Sequence, residues 1–338
     1  MRMKAIAIAA MVLAGLGSAQ TPAPQSQVFD FTNKPTQQGL QEIATILRTV
    51  GDIQQLSINS AASTLTVGGT TDQLAMTGWI VHQLDQPVTE PLTATASPLQ
   101  YLVAGKSDDV IRVFHLTNVP PAPPQGIQEI LTVLRTVANI QKVFNYTALA
   151  DLVVRGPAAQ IAFAEYLIHS LDVAPGTVTT SAEFQYQAPG EGSQVARVFY
   201  LANASTPQSI QEILTTLRTV ADIQKVFCFT PLRALAIRGS ATDIAASEWL
   251  IQSLDIAASP KTAASASVRE FHMPANAREN ASVIHVYYPA YINTAQGLNE
   301  TLTLIRTNLQ IQKTFAIRVH RRSLERSLAA AKKKQNTP

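Results

Sequence analysis

The spacing of apolar residues changes from strand-like to helical between residues 110 and 137. Residues 110–117 are rich in β-branched and aromatic side chains, which favours a β-strand. A proline-rich stretch at 120–124 ends this strand. The apolar residues that follow lie on one face of a helix, so they predict an amphipathic helix: Ile127, Ile130, Leu131, Leu134 and Val137.

Two short strands and a second helix complete this segment. Residues 141–146 return to a strand-like composition, and the alternation of Leu152 and Val154 marks a further strand. This strand ends at Gly156 and Pro157, a pair that interrupts regular structure. The closing helix has apolar residues at helical spacing, and the predicted order is therefore strand, helix, strand, strand, helix: Ile161, Ala164, Ile168 and Leu171.

The same pattern recurs along the chain. The segment QEILTVLRTVANIQKVF begins at Gln128 and differs at two positions from QEILTTLRTVADIQKVF, which begins at Gln211. Looser copies begin at Gln41 and Asn299. In the first three copies the distance from the opening glutamine to a Leu-Asp pair is the same, without gaps. Because loops normally absorb insertions, the ungapped repeat indicates that even the turns of the unit are structurally fixed.

These copies predict an α+β fold, a tandem array of small βαββα modules. Three modules are complete, and the fourth, at the C-terminus, is incomplete or atypical. Segments rich in Ala, Thr, Ser, Pro and Gly separate them, at 86–107, 173–193 and 256–282, and are predicted linkers, with an added strand at 183–186. The predicted module ranges are 27–86, 109–173, 194–256 and 283–331.

The fourth copy departs from the others where its third strand is expected. Ser323, Glu325 and Ser327 stand where the other copies have an apolar strand. Residues 323–331 instead read as a short solvated helix with a basic tail. A truncated copy, a terminal cap and a frameshifted end are all compatible with this pattern.

A glycine recurs at the turn after the third strand in the complete copies, at Gly69, Gly156 and Gly239. The sequence predicts that this position needs a backbone angle that other residues adopt only at a cost.

Sequence features of the second and third copies carry a resemblance to a known family. They are Leu-Val-Val-Arg-Gly at 152–156, Leu-Ile-His-Ser-Leu-Asp at 167–172 and Leu-Ile-Gln-Ser-Leu-Asp at 250–255. The unit resembles the N-domain repeat of bacterial secretins, a NolW-like or KH-like ring-building module. The resemblance implies a periplasmic module that packs against copies of itself or against secretin and pilus components. It does not extend to the pore domain of secretins.

The N-terminus predicts export. Residues 1–19 combine a basic start, an apolar run and a small-residue cleavage site, as in a secretory signal peptide. The apolar run has about 13 residues, short of the roughly 20 that span a bilayer. We therefore expect a mature protein without a transmembrane segment, in the periplasm or at the periphery of the outer membrane. Its single cysteine, Cys228, excludes an intramolecular disulfide and reads as a buried, inert thiol.

The charge pattern argues against nucleic-acid binding. The formal net charge of +3 includes Arg2 and Lys4 of the predicted signal and three lysines of the C-terminal tail, at 332–334. Without these five charges the chain carries about −2, and no basic face remains for phosphate contacts. The sequence also lacks the G-x-x-G loop with which KH domains clamp the backbone of RNA. We expect no nucleic-acid partner.

Motifs of catalysis and of metal or cofactor binding are absent from the sequence. It has no G-x-S-x-G, no phosphate-binding glycine loop and no H-E-x-x-H. The six histidines show no paired ligand spacing, and His82 and His169 are replaced by Gln252 in the third copy. We expect no enzymatic activity, no cofactor and no metal.

Two recurring positions are candidate interface residues. An aromatic residue lies at one position of the closing helix, off its main apolar stripe, where it covers its own core or anchors an interface. An arginine lies late in the first helix, where it interacts with the helix dipole or forms an intermodule ion pair. The candidates are Trp79, Tyr166 and Trp249, and Arg48, Arg135, Arg218 and Arg306.

Two functions fit these predictions. The first is a non-catalytic scaffold or assembly protein, related to the N-domains of secretins of protein secretion or type IV pilus systems, that acts by module-to-module packing. The alternative is a stand-alone periplasmic binding protein for a polypeptide, a glycan or a cell-wall ligand. The oligomeric state distinguishes them, because a scaffold forms rings or joins secretin complexes, whereas a binding protein can remain monomeric.

Overall fold

The structure is a computed structural model in which parts of the chain are described. The predicted signal peptide, Ser323, Glu325, Ser327 and the predicted helix at 323–331 lie outside the described residues. Those residues are 25–87, 100–174, 176, 181–188, 190, 192–256, 268–274, 282–289, 292 and 294–317.

The elements of modules 1 and 2 follow the predicted order. Module 1 consists of β1 (Gln25–Asp30), α1 (Gln37–Thr49), β2 (Gln55–Asn59), β3 (Thr64–Gly69) and α2 (Thr71–Leu84). Module 2 consists of β4 (Gln100–Leu102), β5 (Asp109–His115), α3 (Gln125–Thr136), β6 (Val143–Tyr146), β7 (Asp151–Pro157) and α4 (Ala158–Leu171).

Modules 3 and 4 continue the series. Module 3 consists of β8 (Phe184–Ala188), β9 (Gly192–Tyr200), α5 (Pro207–Thr219), β10 (Val226–Phe229), β11 (Ala234–Gly239) and α6 (Ala241–Leu254). The described part of module 4 consists of β12 (Val268–Met273), β13 (Ser282–Tyr287) and α7 (Ala295–Asn308).

Each complete module has one small antiparallel sheet. The strand orders are β1-β3-β2 in module 1, β4-β5-β7-β6 in module 2 and β8-β9-β11-β10 in module 3. The strand that precedes the closing helix is therefore paired on both edges. The predicted class, α+β with repeated small modules, is confirmed.

The segments predicted as linkers contain strands. β8 overlaps the strand predicted at 183–186. β4 and β12 lie in segments that were predicted to be linkers without strands. Each of these strands pairs with the first strand of the following βαββα unit, namely β5, β9 or β13. They are ordered because each also brings an aromatic side chain against the closing helix of the preceding module.

Consecutive modules are stacked so that the helices of one lie on the sheet of the next. In β7, Leu152 and Val154 belong to the core beneath α3 and α4, whereas Val153 belongs to the core shared with module 1. In β11, Leu235 belongs to the core of module 3, and Ala236 belongs to the core of module 2. Both faces of these sheets are therefore buried, one by their own helices and one by those of the preceding module.

The backbone angle predicted for the recurrent glycine is wrong. Gly69, Gly156 and Gly239 have no φ in the left-handed region. A Cβ at Gly156 would lie 2.8 Å from Oε1 of Gln160, and one at Gly239 would lie 2.7 Å from Cβ of Asp243. A larger residue is therefore crowded at Gly239, where the Cβ of Asp243 cannot move away, whereas at Gly156 the flexible end of Gln160 can shift.

Candidate interaction site at the joints between modules

Each closing helix meets the next module through a pair of aromatic rings. The candidate interface residues Trp79, Tyr166 and Trp249 are half-buried on α2, α4 and α6. Their partners lie on β4, β8 and β12, each opposite the same position of the neighbouring strand. The pairs are Trp79 with Tyr101 (ring centroids 5.6 Å apart), Tyr166 with Phe184 (5.0 Å) and Trp249 with Phe271 (5.6 Å).

The joint between modules 2 and 3 contains the largest aromatic cluster. Phe163 of α4 is fully buried, and its ring lies 5.4 Å from that of Phe184 and 4.8 Å from that of Tyr186. The Tyr166 hydroxyl donates to the carbonyl oxygen of Ala182 at 2.7 Å. Rings packed at these distances stabilise a contact beyond the area they bury, so this cluster holds β8 firmly on α4.

The first helix of a module binds the sheet of the next module through a glutamate. Glu42 of α1 accepts hydrogen bonds from the backbone N–H and the hydroxyl of Thr147, both at 2.8 Å. Glu129 of α3 accepts one from the backbone N–H of Thr230 at 2.7 Å. Each threonine opens a 3₁₀ turn after the second strand of its βαββα unit. The same contact therefore occurs at two successive joints.

A buried arginine links modules 1 and 2. The Arg155 side chain is 4% exposed and donates to Asp109 at 2.8 Å, to Asp52 at 3.2 Å and to the carbonyl oxygen of Val50 at 2.8 Å. Lys142 also pairs with Asp52. Burial alone would raise the pKa of Asp109, but the hydrogen bonds and charge of Arg155 outweigh it and hold that pKa below its ordinary value.

The four predicted interface arginines make their described hydrogen bonds inside their own modules. Each donates to the carbonyl oxygen of the residue eight positions later, which ties the end of the first helix to the segment that follows it. An interface role for these arginines stays a prediction. The distances are 3.4 Å for Arg48, 3.0 Å for Arg135, 2.9 Å for Arg218 and 2.8 Å for Arg306.

The aspartate that ends each complete copy holds a loop. Asp172 accepts backbone N–H groups from Thr117 (2.7 Å), Asn118 (2.6 Å) and Val119 (2.9 Å), and Asn118 Nδ2 donates to its carbonyl oxygen. Asp85 and Asp255 make the equivalent contacts in modules 1 and 3. These carboxylates are saturated by loop donors, so their recurrence has a structural cause.

Sequence reasoning missed the glutamates, Arg155 and the aromatic partners on β4, β8 and β12. Glu42 and Glu129 recur inside the repeated Gln-Glu-Ile motif, and Arg155 interrupts an otherwise apolar strand, as Arg238 does in module 3. A charged residue at a fixed position of an apolar strand indicates a partner from a neighbouring element.

The single cysteine, Cys228, is half-buried. Its burial, and to a lesser extent the charge of Glu129, raises the pKa of its thiol to about 11.

One buried pair predicts a pH dependence. His115 Nδ1 lies 2.9 Å from Oδ1 of Asp151, whose side chain is 2% exposed. The hydrogen bond to Asp151 raises the pKa of His115, and the charge of Asp172 acts in the same direction. Protonated His115 therefore stabilises the fold below the unfolded pKa of about 6.5. We expect the free energy of unfolding to fall as the pH rises above this value through the folded pKa.

Urea unfolding at a series of pH values tests this expectation. The matched control is the double variant His115→Tyr with Asp151→Ala, because module 3 has Tyr200 opposite Ala234 at the same positions. The fall in stability should be absent from the double variant. An equal fall in both proteins would assign the pH dependence to other groups.

Metal-ligating clusters and membrane-spanning helices are both absent from the described residues. No group of three or more His, Cys, Asp or Glu side chains is placed to hold a metal ion in this part of the chain. None of the helices in the described ranges combines the length and the hydrophobicity that crossing a bilayer requires.

Comparisons with known proteins gave structural likenesses only. No family model matches the chain, and no curated protein matches it. Parts of the chain are similar in structure to secretin N-terminal domains. The XcpQ N-terminal domain from Pseudomonas aeruginosa is 17% identical with a TM-score of 0.18, over 44% of this chain and 62% of that one. ExeD of Aeromonas hydrophila is 16% identical with a TM-score of 0.16, over 69% of this chain and 41% of that one.

Another solved structure also resembles part of the chain. Dim2p from Pyrococcus horikoshii is 12% identical with a TM-score of 0.23, over 45% of this chain and 93% of that one. This chain thus spans less than two thirds of the secretin structures above. With TM-scores of 0.16 to 0.23, these structural likenesses are partial.

Proposed function

We propose that this chain is a non-catalytic scaffold or assembly protein of the periplasm, related to the N-domains of secretins of protein secretion or type IV pilus systems. It acts by module-to-module packing, through self-association or through contacts with secretin and pilus components. The periplasmic location rests on the export signal predicted at residues 1–19.

The repetition of one joint carries this proposal. The contact between Glu42 and Thr147 recurs between Glu129 and Thr230, and an aromatic pair accompanies each joint. The side chains that recur between modules are therefore used for packing and for positioning neighbours. Arrays of this kind derive their stability from neighbour interfaces and present extended binding surfaces. The aromatic residues Trp79, Tyr166 and Trp249 are half-buried, so part of each ring remains available to a further partner.

Light scattering on protein purified from the periplasm of an expressing bacterium tests the proposal. We expect a mass of at least twice that of one mature chain, which is below the 36.4 kDa of the full sequence. We also expect a shift toward the monomer when Trp79, Tyr166 and Trp249 are changed to alanine together. The physical reason is that large aromatic side chains dominate the binding energy of interfaces. Far-UV circular dichroism establishes that the triple variant is folded.

The matched control changes the exposed residues one helical turn later, His82, His169 and Gln252, to alanine. This triple variant should keep the mass of the parent. A monomer whose mass does not change with concentration would contradict self-association and favour the periplasmic binding protein as the alternative.

A further inference from the structure

Each joint between modules brings together two different surfaces. The preceding module contributes its helices, and the following module contributes the outer face of its sheet, which its own helices do not cover. At the first joint, Glu42 on the helix side binds Thr147 on the sheet side. The stack therefore has a direction, because a module needs an outer sheet face suited to docking only where another module packs on it.

The outer sheet faces of modules 2 and 3 are apolar. In module 2, Ile111 and Val153 are fully buried in the core shared with module 1. In module 3, Phe229 and Ala236 are fully buried in the core shared with module 2. Module 3 is apolar at every position equivalent to the apolar positions of module 2, which are Ile111, Val113, Phe144, Tyr146 and Val153.

The outer sheet face of module 1 is polar at the same positions. The strand registers place Ser26, Ser57, Asn59 and Thr66 where module 2 has Ile111, Phe144, Tyr146 and Val153. Val28, at the remaining position, is 55% exposed. On the inner face of the same sheet, Leu65 and Val67 are fully buried, as Leu152 and Val154 are in module 2. The change in composition is therefore confined to the outer face.

Module 1 also lacks the cations with which a sheet binds the module before it. Lys142 and Arg155 extend from the sheet of module 2 to Asp52 of module 1. Module 3 keeps a lysine and an arginine at these two positions, whereas module 1 has Gln55 and Gly68 there. Both the apolar and the charged side chains of a docking sheet are thus replaced in module 1.

We propose that the outer sheet face of module 1 is a cap that keeps a second copy of the chain from adding end to end on this side of the stack. Packing the helices of another copy on this face would bury hydroxyl and amide groups, and burial of such groups without hydrogen-bond partners is unfavourable. A polar outer face at the end of an array has this role in repeat proteins, because it keeps the array soluble.

The cap limits the ways in which copies of the chain can associate. End-to-end contacts that repeat without closing produce filaments. A cap on module 1 removes this route and leaves the flanks of the modules, where Trp79, Tyr166 and Trp249 lie. The inference deepens the scaffold proposed above and rests on it for the role of these flanks, whereas the cap itself is a property of module 1.

A graft of module 2 side chains onto module 1 tests the cap. The grafted variant of the full chain carries Ser26→Ile, Ser57→Phe, Asn59→Tyr and Thr66→Val. We expect its mass by light scattering to rise with concentration and to exceed that of the parent roughly twofold or more, because a contiguous apolar face on a protein surface promotes association. A folded variant with the mass of the parent at every concentration would overturn the proposal.

The matched control keeps the polarity of the same four positions. It carries Ser26→Thr, Ser57→Thr, Asn59→Gln and Thr66→Ser, and it should keep the mass of the parent. Far-UV circular dichroism establishes that each variant is folded. Should the full graft not fold, Ser26→Ile with Thr66→Val provides a smaller graft of β-branched residues, which suit a strand, and its mass is judged by the same criterion.

One further substitution locates the association. Val28→Asp, added to the grafted variant, places a charge on the same outer face and should restore the mass of the parent. An undiminished mass would assign the association to another surface and overturn the cap. Each comparison is made with the parent, so a monomeric parent would contradict the self-association proposed above and would leave this test of the cap intact.

Discussion

Replacing Phe163 by alanine is expected to lower the free energy of unfolding by about 3–5 kcal/mol, the usual cost of truncating a buried phenylalanine. The side chain is fully buried between α4 and the rings of Phe184 and Tyr186. Its loss leaves a cavity at the joint between modules 2 and 3. Urea unfolding followed by circular dichroism measures the loss.

The repeat provides matched controls for this substitution. Module 1 has Met76 at the equivalent position and module 3 has Ala246. Phe163→Met fills more of the cavity and should cost clearly less than Phe163→Ala. Leu309→Ala, at a residue that is 65% exposed, should have little effect. A loss below about 1 kcal/mol for Phe163→Ala would mean that the joint closes around the cavity.

Replacing Arg155 by methionine is expected to cost about 3–5 kcal/mol, because removal of one partner leaves a poorly solvated charge without its counterion. Asp109 is 17% exposed, and the guanidinium group of Arg155 compensates the negative charge of its carboxylate. The substitution also removes the hydrogen bonds to module 1, at Asp52 and the carbonyl oxygen of Val50. We therefore expect modules 1 and 2 to unfold less cooperatively, as measured by the fluorescence of Trp79 in a Trp249→Phe background together with circular dichroism.

A double variant separates the charge effect from the loss of packing. Arg155→Met with Asp109→Asn removes both charges of the buried pair, so it should recover part of the stability lost in the single variant. Equal losses in the single and the double variant would show that the packing of the Arg155 stem, rather than its charge, stabilises the joint.

The sequence determined much of the local structure. The helix predicted from Ile127 to Val137 is α3 at Gln125–Thr136, and the strand predicted at 110–117 is β5 at Asp109–His115. These predictions held because an element with one buried face leaves a periodic pattern of apolar residues, and the copies repeat that pattern. The constant distance to the Leu-Asp pair also has a structural basis, because Asp172 holds the loop after β5.

Other features depend on which surfaces meet. The pattern around Val153 shows that this residue is apolar, but it cannot show that the residue packs against module 1. The segments rich in small and polar residues predicted linkers with one added strand, at 183–186, where β8 forms; β4 and β12 also form in these segments and were not predicted. Short strands of this composition gain their order from the aromatic contact with the preceding closing helix, and that contact is non-local.

The sequence by itself therefore determined the α+β class, the order of elements inside a module and the repetition of that module, because short-range periodicity encodes each of these. Only the tertiary structure decided the second buried face of each sheet and the steric crowding at Gly239. It also decided the contacts across the joint between modules 1 and 2, from Glu42 to Thr147 and from Arg155 to Asp52. These features arise between residues far apart in the chain. Their partners are determined by how the modules stack, and the spacing of apolar residues within one helix or strand does not indicate which surface covers it.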